Sequence, residues 1–112
     1  MAHDWIHEFP GAVTVCDERG TIIEMNEKAA AVFATDGGRA LIGRNLRACH
    51  PGESRGKVDD LFERRQPNAY TIRKQGVRKM IYQSPWYRAG EFAGIVELSM
   101  EIPIEMPEFV RG

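Results

Sequence analysis

Cys16-Asp17-Glu18-Arg19-Gly20-Thr21-Ile22-Ile23-Glu24-Met25-Asn26 decides the fold. Two short strand patterns flank an Asp-x-x-Gly turn, and an asparagine then opens an alanine-rich helix. Asp17 can accept from the backbone two residues on, and Gly20 can take the positive φ that a tight hairpin needs. Asn26 is placed to accept the first free amides of a helix over Glu27–Phe33.

Working outward, the N-terminal side reads as a short amphipathic turn carrying Trp5, Ile6 and Phe9, stopped by Pro10-Gly11. Ala12–Cys16 alternates as a first strand and Thr21–Met25 as a second. On the other side, Asp36-Gly37-Gly38 breaks the helix and Leu41-Ile42-Gly43 fits one more short turn. A loop from Asn45 to Ser54 leads into a longer helix, where Val58, Leu61 and Phe62 recur on one face and Pro67 follows the end. The period then changes to two. Tyr70 and Ile72 alternate in one strand, Lys79–Trp86 forms another, and Phe92–Ile102 is the last, with turns at Gln75-Gly76 and Arg88-Ala89-Gly90-Glu91. Pro85 marks a place where the fourth strand bends or loses a ladder bond.

This order predicts an α+β fold: a five-stranded antiparallel sheet in spatial order 2-1-5-4-3, with short helices and one longer helix on one face. The expected inward set is Ile23, Met25, Phe33, Leu46, Val58, Leu61, Phe62, Tyr70, Ile72, Tyr82, Val96 and Leu98. Ile81, Tyr87 and Ile95 are then assigned to the open face. The expected division is an N-terminal helical cap over residues 1–11, the α+β domain over 12–102 and a tail over 103–112.

At 112 residues the chain has room for one core. Its 43% hydrophobic content suits an ordinary globular domain. A net charge of −1, with basic residues interleaved among acids, leaves no electrostatic footprint for nucleic acid. No apolar run approaches the ~20 residues that span a bilayer, and no export signal is evident. Two cysteines, Cys16 and Cys49, make no disulfide framework. A cytoplasmic protein is the expectation.

The span from Phe9 to Ile102 resembles a PAS domain, the small sensor module of signalling proteins. The resemblance is carried by the Asp17–Gly20 turn, Asn26 before the alanine-rich helix, Leu41-Ile42-Gly43-Arg44, the three-strand meander and Gly90-x-x-x-Gly94. It implies a ligand-sensing or dimerisation module, commonly joined to an output domain or partner protein, rather than an enzyme. Two features depart from the pattern. Met100-Glu101-Ile102-Pro103, followed by Pro107, replaces the polar triad and coupling helix that usually follow the last strand; proline removes the donors such a helix needs. Gly43-Arg44-Asn45-Leu46-Arg47 resembles the flavin-binding photoreceptor stretch but has Leu46 where the reactive cysteine stands. Val96 stands where those proteins offer a glutamine to the flavin, so flavin photochemistry is not expected.

Met25, Phe33, Leu46, His50, Tyr82, Ser84, Trp86 and Val96 form the expected ligand-binding set, an apolar pocket with a hydroxyl and a phenol for orientation. A filled core, in which the protein is a dimerisation module without a ligand, is the alternative. His50 is the residue through which haem would be held, since an imidazole is a good axial ligand and haem-binding PAS domains carry their histidine near the long helix. Cys49-His50 lacks a third orienting group for catalysis, and the i, i+4 pair His3 and His7 sits too near the chain start to be read as a metal site. The expected assembly is a homodimer, with Trp5, Ile6 and Phe9 either covering the open face of the sheet or packing across the two-fold axis.

Overall fold

The opening turn forms as its residues require. Asp17 Oδ1 accepts from the backbone amides of Arg19 at 2.9 Å and Thr21 at 3.0 Å, and Gly20 takes a φ of 89°. The computed structural model describes residues 4–46 and 53–112. A short helix α1 (Asp4–His7) precedes strands β1 (Ala12–Asp17) and β2 (Ile22–Met25). Helix α2 (Glu27–Val32) follows, then two 3-10 turns (Ala34–Asp36 and Gly38–Leu41), helix α3 (Glu53–Arg64) and strands β3 (Asn68–Lys74), β4 (Val77–Arg88) and β5 (Glu91–Ile102). The five strands make one sheet in the order β2-β1-β5-β4-β3, every pair antiparallel, as the sequence predicts.

Turn chemistry sets the registers. Gln75-Gly76 and Ala89-Gly90 both take positive φ, at 53° and 79° and at 51° and 82°, the geometry that matches the twist of a hairpin. Pro85 is buried within β4 beyond the end of β3, whose ladder stops at Gln83. There β4 has become an edge, the place where a missing N–H is tolerated. Arg65 ends α3 at a φ of 53°, its amide donating to the Leu61 carbonyl at 3.0 Å. Its guanidinium lies 4.2 Å from the centre of the Phe92 ring.

Two clusters make the core. Ala12, Ile22, Met25, Ala29 and Leu41 pack under α2, and Cys16, Val58, Phe62 and Ile95 pack under α3. Leu46 touches both. Asn26, only 2% exposed, ties three segments together. Its Oδ1 accepts from Ala29, as a cap should, and also from Val13, both at 3.0 Å. Its Nδ2 donates to the carbonyls of Ile6 at 3.0 Å and Gly11 at 2.8 Å.

The expected faces are corrected in three strands. In β2, Ile22 is 4% exposed and Ile23 is 44% exposed. The cause is a register shift: Val15 faces Glu24 but Cys16 faces Ile22, so Ile23 bulges out of the ladder and both Ile22 and Met25 turn inward. In β4 and β5, Ile81 (7%) and Ile95 (4%) are buried toward the helices, while Tyr82, Val96 and Leu98 form paired rows on the opposite face with Ser84 and Val13. That outer row is the more apolar one, so alternation alone points the wrong way. A second shift between Trp86 and Tyr87 skips Ala93, which lets Phe92 join Ile95 beside α3. Ile81 and Ile95 therefore do not belong to the open face; Tyr87, 56% exposed, is open to solvent.

Candidate functional site

Between the sheet and the helical segment lies a cavity of about 780 Å³. Short helices account for it. A turn and a half of α2, two 3-10 turns and α3 leave a gap over a twisted sheet that one continuous helix would close. Met25, Phe33, Leu41 and Leu46 form one side, Val58 and Leu61 of α3 another, and Tyr70, Ile72, Ile81 and Ile95 the sheet floor.

The floor also carries a polar row across four adjacent strands. Thr14 of β1 pairs with Glu97 of β5, Glu97 with Gln83 of β4, and Gln83 with Asn68 of β3. Asn68 Nδ2 donates to Gln83 Oε1 at 3.0 Å, and Gln83 Nε2 donates to Glu97 Oε2 at 2.8 Å. Thr14, Gln83 and Glu97 all line the cavity. Partial burial pushes the Tyr70 hydroxyl above its ordinary pKa, and the Glu97 carboxylate adds to the shift by disfavouring a second negative charge nearby. Lys74, Lys79 and Arg44 also line the cavity, Lys74 and Arg44 being exposed.

Of the residues expected at the site, Met25, Phe33 and Leu46 line this cavity. Tyr82, Ser84, Trp86 and Val96 do not; they belong to the outer face, the set one residue out of phase. Trp86 instead donates its indole N–H to the Cys16 carbonyl at 2.9 Å, reaching past Gly94. Gly94 has a φ of 145°, and a Cβ there would collide with the Cys16 carbonyl oxygen. His50 lies outside the described residues, as do Cys49 and His3. Sequence reasoning missed Glu97 and Gln83. A signal existed: polar residues that interrupt long apolar strands and pair across the ladder mark a polar patch on whichever face holds them. The comparison of Val96 with a flavin-contacting glutamine also falls, because the cavity-facing position on β5 is Glu97. Leu46, without a thiol, does line the cavity.

Among the described residues no helix is long and apolar enough to cross a membrane, and no group of three metal-ligating side chains assembles.

No family model and no curated protein sequence matches the chain. Solved structures do. The C-terminal domain of a Streptococcus mutans protein superimposes with a TM-score of 0.72 at 21% identity, over 86% of this chain and 78% of that one. The PAS domain of BvgS from Bordetella pertussis gives 0.66 at 20% identity, over 88% and 81%. The chain has the PAS fold. The PAS domain of the histidine kinase ThkA matches similarly, with a TM-score of 0.64 at 26% identity over 80% of this chain and 96% of that one. The Aer2 receptor of Vibrio cholerae, described as a dual PAS-heme oxygen sensor, gives 0.64 at 16% identity over 83% and 95%. In this PAS fold the cavity lies between the central sheet and the short helices, with its polar row running from β1 through β5 and β4 to β3.

Proposed function

We propose that this chain is a sensor or regulatory module of signal transduction, one that takes a small molecule in the cavity over the sheet and is not itself a catalyst. The cavity carries the proposal. Its volume falls within the range of small-molecule sites, about 300–1,000 Å³, and its walls combine apolar side chains with polar and charged ones. The PAS domains of signalling proteins among its structural neighbours agree with this role. The ligand acts by binding two arrangements of α2, α3 and the sheet with different affinity, since only that difference moves an equilibrium. An output domain or partner protein reads the change.

The same reading makes the protein a homodimer. The outer face of the sheet carries Tyr82, Val96, Leu98 and Met100, all only half-buried within one chain, and a Cβ on neighbouring Gly11 would meet both Phe9 and Met100. A two-fold contact would cover this apolar face and the exposed Trp5 together. A haem rests on His50 alone, because the described cavity lining offers no imidazole.

Methyl-labelled protein titrated with a small-molecule library tests the sensor reading. Shifts concentrated at Ile81, Ile95 and Leu46 are the expected result. Shifts confined to Val96 and Leu98, or none with any compound, would refute it. Sedimentation velocity of the wild type and of Leu98→Lys tests the dimer: a dimer mass that falls to a monomer mass is expected, and a wild-type monomer at tens of micromolar rules the dimer out.

A further inference from the structure

Glu97 occupies the middle of the cavity floor, on the central strand, with Thr14 on one side and Gln83 on the other. Gln83 is held at both ends of its amide, accepting from Asn68 and donating to Glu97 Oε2 at 2.8 Å. The second carboxylate oxygen, Oε1, accepts no hydrogen bond from the described residues, and none of their cations forms an ion pair with Glu97. The same cavity is lined by Met25, Leu46, Val58 and Ile95, which can neither donate a hydrogen bond nor carry charge. A half-buried carboxylate oxygen with no donor of its own is the acceptor such a cavity offers to a bound cation.

We infer that the cavity takes an organic cation with a compact apolar body, such as a primary amine or an amidine. Its charged N–H group meets Glu97 Oε1 and its body lies against Leu46 and Met25. A charge-assisted N–H donor is the group that gains most from such an acceptor, and water excluded from the apolar walls strengthens the pair. The cavity's own cations do not take this role. Lys79 lies four residues along β4 from Gln83, the ladder partner of Glu97, roughly 13 Å at the usual rise per residue, and Lys74 and Arg44 are exposed to solvent. A ligand whose far end carries a carboxylate is compatible with that rim, but the cationic head sets the selection.

This inference rests on the cavity being a ligand site, and calorimetry with three compounds of one shape separates the two. Benzamidine is the cation, benzamide the neutral isostere and benzoate the anion. The wild type should bind benzamidine at least about tenfold more tightly than benzamide, with benzoate weakest. Glu97→Gln should bring benzamidine down to the benzamide level, and an unchanged circular dichroism spectrum shows that the variant is folded. Benzoate or benzamide equalling benzamidine on the wild type, or benzamidine unaffected by Glu97→Gln, overturns the charge assignment while the cavity reading stands. No binding of any of the three, with no shift at the Leu46 and Ile95 methyl groups, overturns both. The wild-type ranking decides the point alone should Glu97→Gln fail to fold.

Discussion

Asn26→Ala is the substitution that should cost this domain most for its size. Asn26 is buried at 2% exposure and carries four good hydrogen bonds, two accepted at 3.0 Å and two donated at 2.8 and 3.0 Å. Loss of the cap to α2 costs about 1 kcal/mol. The Val13 amide and the Gly11 carbonyl, both on buried residues, would lose their side-chain partner, at about 1–3 kcal/mol each. Together this makes about 3–7 kcal/mol, a large part of the ~5–15 kcal/mol that holds a domain of this kind. Urea unfolding followed by circular dichroism reads it. With a slope of about 1.5 kcal/mol per molar urea, the midpoint should fall by about 2–5 M. Asn26→Asp separates the cap from the rest: aspartate caps as well as asparagine, but its second oxygen would face the Ile6 and Gly11 carbonyls that now receive an N–H. It should still lose about 2 kcal/mol or more at neutral pH. A loss below about 1 kcal/mol for either variant would show that Asn26 acts as a cap and nothing more.

Gly94→Ala should destabilise by about 2–4 kcal/mol in the same assay, through a left-handed backbone and the collision with the Cys16 carbonyl, and a neutral result would contradict the β1–β5 register. Ile95→Ala should cost about 2–4 kcal/mol, well above Leu98→Ala measured below the dimerisation range, because Ile95 is buried under α3 while Leu98 is only half-covered in one chain; the reverse order would restore the opposite face assignment. In an absorbance titration one of the three tyrosines should ionise later than the others, and Glu97→Gln should reduce that delay. The folded-state pKa of Tyr70 is raised, so the associated stability is fully present below the unfolded value near 10 and is lost as pH rises through the folded one. Identical titration of Tyr70 with and without the Glu97 charge would place the two groups apart.

What was legible in the sequence was whatever depends on backbone demands of a few neighbouring residues. Asp17 and Gly20 require their turn, Asn26 caps its helix, and Gln75-Gly76 and Ala89-Gly90 close hairpins of defined hand. Those turns, with the helices between them, order the strands as 2-1-5-4-3. The direction in which a strand faces is a different kind of property. Both faces of β4 and β5 carry apolar side chains, one row against α3 and the cavity, the other on the outer side of the sheet. The outer row is the more apolar of the two, so hydrophobic contrast selects the wrong one as inward. Ile23 shows the same limit in miniature, since a one-residue bulge opposite Val15 and Cys16 moves it to solvent while its equally apolar neighbour Ile22 is buried. Only packing decides such cases, because the helices cover one face and the residues beneath them are chosen by register. The polar row of Asn68, Gln83, Glu97 and Thr14 exists for the same reason: its members lie far apart in the chain and become neighbours only when four strands align.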